Sequence, residues 1–253
     1  MFGKVIYYDN DRIDEFVSLI TGEKRVSVRE IVHSSEKGGS IDIKVAGGSA
    51  KENFSYSASV KESFLLELAE FEKMLANRDD YLDFYADEYS LDAVGRGTLV
   101  KLWGNIFVPE EFDLHHTIKK FKPILVSSMM LDNDFDADDI MAMNVLISND
   151  DDIKIPVVVE YEDHKLCSML NSRYLSCTFE EFEDIEDEEV TILARMAGSG
   201  AIRNTKAYYD PLKDFISLNR TFRRSMERDR GEGLEPLYLT EDYYKIEIVA
   251  IFQ

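Results

Sequence analysis

GTLVKLWGNIFV, residues Gly97 to Val108, is the stretch that sets the fold class. It reads as the clearest strand in the chain. Gly104 inside it marks a bulge or a break, and Pro109 ends it. Just upstream, Tyr81 to Tyr89 is aromatic and acidic together and reads as a second strand. Before that, Ser59 and Glu62 form an S-x-x-E capping box. The helix behind it carries Phe64, Leu65, Leu68, Phe71 and Leu75 as a core stripe and runs to about Asn77. At the start of the chain, Lys4 to Tyr8 reads as a strand and Asp9-Asn10-Asp11 as a turn. Asp11 is the expected cap of a short helix through Ile13, Phe16, Val17 and Ile20, closed by Gly22.

Downstream, Asp113 caps an expected helix that Lys122-Pro123 stops. Ala137 to Leu146 reads as a short helix and Ile155 to Tyr161 as a buried strand. His164 to Leu170 reads as a helix and Val190 to Met196 as a strand. Asp210-Pro211 opens a long helix toward Arg230, and Tyr244 to Phe252 is a closing strand. The fold class is therefore α+β, with mixed or antiparallel sheets and packed helices. VIYYDNDRIDEFVSLI and VVVEYEDHKLCSML both read as strand, acidic turn, helix, which suggests two pseudo-repeated halves. The boundary falls near residue 128, giving an N-terminal half (1–128) and a C-terminal half (129–253). Residues 34–57, with Gly38-Gly39 and Gly47-Gly48, read as a Gly/Ser-rich flap. Their glycines fit neither G-x-G-x-x-G nor G-x-x-x-x-G-K-[ST].

Composition narrows the function classes. The 253 residues include 50 acidic and 29 basic side chains, a net charge of −21. That charge favours solubility and repels phosphate backbones and anionic membranes, so non-specific nucleic-acid binding and membrane attachment are not expected. No segment approaches the roughly eighteen apolar residues of a membrane span, and the N-terminus carries no apolar signal region. Cys167 and Cys177 form no CxxC. A cytoplasmic protein with reduced thiols is the expectation.

The stretches VIYYDNDRIDEFVSLI, ESFLLELAEFEKML, GTLVKLWGNIFVPEEFD with FKPIL after it, and KIEIVAIFQ together resemble a family of uncharacterised bacterial proteins, catalogued as a domain of unknown function. The resemblance spans most of the chain. It implies a bacterial, cytoplasmic setting and brings no activity or site residues with it.

Three constellations could carry chemistry. Asp132, Asp134 and Asp136 open like a calcium loop, but Ala137 stands where the loop needs glycine and Met143 where it needs glutamate. An acidic helix cap is one reading; a Mg²⁺ or Ca²⁺ site serving a metal-dependent hydrolase is the other. Glu180 to Glu189 holds eight acidic residues in ten, with Phe179, Phe182 and Ile185 as an apolar edge. It reads as a solvated face or as a docking strip for a basic partner. On the expected helix from Pro211, Arg220, Arg224 and Arg228 share a face, with Lys213 on the same stripe and Arg223 flanking. They pair with the protein's own carboxylates or form an anion site for a phosphorylated ligand. A dyad of His164 with Cys167 is conceivable, while no GxSxG or HExxH occurs. With catalytic signatures missing, the leading expectation is a non-enzymatic interaction or regulatory protein with a protein partner and no cofactor. An enzyme or sensor acting on a phosphorylated ligand is the alternative.

Overall fold

A computed structural model describes residues 4–22, 56–112, 153–186, 188–214 and 235–253. Within them lie strands β1 (Val5–Tyr8), β2 (Tyr81–Asp83), β3 (Leu99–Phe107), β4 (Lys154–Tyr161), β5 (His164–Asn171), β6 (Glu189–Met196) and β7 (Tyr243–Phe252). All belong to one mixed sheet. β3 pairs with β4, β4 with β5, β5 with β7, β7 with β6, and β6 returns to β3, so these five strands close into a barrel.

Closure depends on two long strands that each serve three neighbours. β3 gives Leu99 to Asn105 to β6 on one edge; its other edge pairs first with β2 and then, from Asn105, with β4. β7 repeats the device with β6 on one edge and β5 followed by β1 on the other. Gly104 stands where β3 passes from β2 to β4. Pairing runs unbroken through it to Val190, so it marks neither break nor bulge against β6. A Cβ there would lie 2.4 Å from the Glu160 carbonyl oxygen and 2.9 Å from Val159 Cγ1. Glycine is what lets β4 come this close.

Strand alternation sorts the core into two layers. Val100, Leu102, Val159, Leu166, Ile192, Ala194 and Ile246 belong to one cluster that fills the barrel. Leu193, Val249 and Ala250 belong to a second, formed with Ile13, Phe16 and Val17 of α1 (Asn10–Thr21) and Leu68, Phe71 and Leu75 of α2 (Tyr56–Leu75). The rings of Phe16 and Phe71 stack at 6.2 Å.

The structure ends the strand expected over Tyr81 to Tyr89 at Asp83 and corrects three further local readings. The cap of α1 is Asp9, whose carboxylate accepts the Arg12 backbone N–H at 3.1 Å. Asp11 instead lies in the first turn and pairs with Arg173. At the far end Gly22 closes the helix with φ 73°, a conformation that favours glycine. α2 begins at Tyr56, so Ser59 and Glu62 fall inside the helix and not at its start. The expected helix from His164 to Leu170 is a strand, β5, joined to β4 by the two-residue loop Glu162-Asp163. Leu166, Cys167, Met169 and Leu170 fit a helical period, but tertiary pairing on both edges selects the strand. The strand–turn–helix unit of β1 and α1 therefore does not recur here.

Strands from before and after residue 128 share the one sheet. The flap at 34–57 lies largely, and the expected helices after Asp113 and at Ala137 to Leu146 entirely, outside the described residues. No described helix is long and apolar enough to cross a membrane.

Candidate functional site

The parallel pairing of β5 with β7 ends at Cys167 opposite Lys245, and β1 takes over that edge only from Ala250. Ser168 spans the gap: its buried hydroxyl accepts the Ile248 backbone N–H at 3.3 Å. Two clefts flank this divergence, and both reach Ser168, Met169 and Lys245.

The first cleft, about 550 Å³, lies between β1–α1 and the end of β5. Its charges compensate one another. Arg12 sits 3.2 Å from Asp9 and 2.7 Å from Glu247, which also accepts Arg195 Nε at 2.8 Å. Burial pushes the Glu247 carboxyl up, but the hydrogen bonds from Arg12 and Arg195 outweigh it and hold the group below the usual carboxylate range. Burial raises Asp9, against the Arg12 amide and charge. Arg173 pairs with Asp11 at 2.7 Å, and the Tyr174 hydroxyl donates to the same carboxylate. Burial and that bond push the Tyr174 phenol up to about 12. Four acidic and four basic residues line this cleft, so its charges balance, with Lys245 shared between it and the second cleft.

The second cleft, about 510 Å³, is basic. Lys245 comes from β7. Lys206 comes from the loop after β6, and Lys213 from the helical turn α3 (Pro211–Asp214). The one carboxylate lining it is Asp210, buried and 2.6 Å from Lys213 Nζ. Lys206 and Lys245 form no ion pair among the described residues. Tyr243 closes the floor; its hydroxyl donates to the carbonyls of Lys206 at 3.4 Å and Ala207 at 3.3 Å, which fixes the lysine loop. Cys167 lies in the wall, and burial pushes its thiol up to about 12 although Lys245 acts in the opposite direction. It is a protonated thiol at neutral pH.

Of the basic set read from the sequence, Lys213 reaches this cleft; Arg220, Arg223, Arg224 and Arg228 lie outside the described residues. So do Asp132, Asp134 and Asp136. No group of three or more His, Cys, Asp or Glu side chains among the described residues is placed to hold a metal ion. His164 and Cys167 are three apart on β5, so they face opposite sides of a strand and form no dyad. His164 packs edge-on against Tyr244 at 5.6 Å. In the acidic run, Phe182 and Ile185 are buried in the barrel core and Phe179 packs against it. Its apolar edge is therefore an anchor, and Glu186 accepts the Val108 N–H at 2.8 Å.

Lys206 and Lys245 escaped the sequence reading. Lys245 had a signal, as the polar residue between inward-facing Tyr244 and Ile246 of a closing strand. Lys206 had none, because only the loop's bridge from Ile202 to Tyr243 brings it to the cleft.

The barrel sequence matches a family model over residues 3–252, described as Domain of unknown function (DUF6414). The chain belongs to the DUF6414 family. No curated protein and no solved structure matches the chain.

Proposed function

We propose that this DUF6414 protein is a non-enzymatic regulatory protein of the bacterial cytoplasm that binds a phosphorylated ligand in its lysine cleft and acts through a protein partner. The observation that carries the reading is the cleft's charge. Three lysines face one buried carboxylate in a chain of net charge −21, and two of them have no ion pair among the described residues. Concave sites lined by one sign of charge concentrate ligands of the other sign, and lysine ammonium groups bind phosphate as point charges. The raised Cys167 thiol favours binding over nucleophilic chemistry in this cleft. Lys213 belongs both to the cleft and to the basic set with Arg220, Arg223, Arg224 and Arg228, which stays part of the proposal.

Calorimetric titration with inorganic pyrophosphate at constant ionic strength tests it. Binding is expected in the native protein. The double variant Lys206→Gln, Lys245→Gln is expected to bind at least about tenfold more weakly, since hydrogen bonds to charged groups contribute about 1.5–3 kcal/mol each. Equal affinity in the two proteins would sink the reading.

A further inference from the structure

We propose that the anion held in the lysine cleft is a nucleotide whose base stacks on Tyr238; the inference rests on the cleft being an anion site. Five large apolar or aromatic side chains are exposed among the described residues: Leu19, Leu66, Tyr85, Tyr89 and Tyr238. Of these, Tyr238 alone lines either of the two clefts, with 55% of its surface exposed. The other two rings of this cleft are committed elsewhere. Tyr243 is buried and hydrogen-bonded to the lysine loop. Tyr208 packs into the cluster of Cys167 and Tyr243.

Tyr238 is also held in place. Its neighbour Leu237 bridges to Tyr209, with Tyr208 N–H donating to the Leu237 carbonyl at 3.0 Å and Leu237 N–H to the Tyr209 carbonyl at 2.8 Å. An exposed ring on a pinned backbone loses little freedom when a flat ligand covers it. Every nucleobase presents a π-face to such a ring. The volume of about 510 Å³ lies within the range of about 300–1,000 Å³ that holds drug-sized ligands and exceeds what a lone phosphate needs. Lys206 and Lys245 supply two positive charges without carboxylate partners among the described residues, matching a dianionic phosphate.

Calorimetry with ADP and with inorganic pyrophosphate, on the native protein, Tyr238→Ala and Tyr238→Phe, separates the two layers of the inference. ADP is expected to bind the native protein about fivefold or more tighter than pyrophosphate, as a base-stacking contribution of about 1–3 kcal/mol implies. Tyr238→Ala should lower ADP affinity to the pyrophosphate level while leaving pyrophosphate unchanged; Tyr238→Phe should keep the native ratio. Equal binding of ADP and pyrophosphate by the native protein would overturn the nucleotide assignment and leave the anion site standing. An ADP advantage that survives Tyr238→Ala would overturn the role of Tyr238. Binding of neither compound would overturn the anion site itself.

Discussion

At the residue scale, Glu247 is the most informative side chain. It lies on the barrel strand that both clefts share and accepts hydrogen bonds from Arg12 on a helix and Arg195 on a neighbouring strand. It thus ties α1 to the barrel wall. Its carboxyl is held below the ordinary value of 4.5 in the folded protein. A depressed pKa stabilises the fold where the group is ionised in both states, above about pH 4.5, and that contribution fades as pH falls through the lower folded value. Glu247→Gln keeps the shape and removes the charge. It is expected to cost about 1–2 kcal/mol at pH 7, the value of about 1.5–3 kcal/mol for hydrogen bonds to charged groups reduced by solvent screening at this partly exposed site. It should also flatten the loss of stability below pH 4.5. Urea unfolding midpoints at pH 7 and pH 3.5 check both points; a variant as pH-dependent as the parent would show that other carboxylates dominate the acid limb.

At the element scale, the β4–β5 hairpin shows what local sequence does and does not specify. Of the described non-glycine residues, Glu162 alone has positive φ, at 50°. It occupies the first position of a two-residue loop, where hairpins favour glycine. EYEDHK thus lacks the glycine signal that would have announced a hairpin, and an apolar spacing compatible with a helix filled the space. Glu162→Gly should relieve the left-handed conformation and raise stability by up to about 1 kcal/mol. The thermal unfolding midpoint reads this directly, and a lowered midpoint would mean that the contact of Glu162 with the Tyr161 hydroxyl outweighs the backbone gain. Elsewhere the elements were legible because their signals were local. Leu99–Phe107, Lys154–Tyr161, Glu189–Met196 and Tyr243–Phe252 are strands much as their residues suggest. Closure was not legible. It depends on β3 and β7 each sharing one edge between two partners far apart in sequence, and no period in the chain encodes that. The basic cleft is hidden for a similar reason, since its lysines are 7 and 32 residues apart and meet only because isolated bridges such as Ile202 to Tyr243 fold the loop after β6 against β7.

At the scale of the whole molecule, charge is the dominant property. Fifty carboxylates on 253 residues leave many separated by less than a Debye length, about 8 Å at physiological ionic strength. The described ion pairs act at contact distance, among them Arg78 with Asp80, Lys101 with Glu72 and Arg173 with Asp11. Their attraction acts at 2.6–2.8 Å, and pairs as exposed as Arg78 with Asp80 contribute little in water. The surplus negative charge acts over longer distances, and self-repulsion of that kind destabilises a compact chain. Salt screens the long-range repulsion more completely than contacts at hydrogen-bond distance. The melting temperature is therefore expected to rise as NaCl goes from very low to moderate concentration. Mg²⁺ at matched ionic strength should raise it further than NaCl if the turn from Asp132 to Asp139 gathers a cation; equal effects of the two salts would remove that metal site while leaving the charge argument intact. A melting temperature that falls with NaCl would show the reverse balance. The arginine ties of Glu247 and Asp11 would then contribute more to the fold than the net charge of −21 takes away.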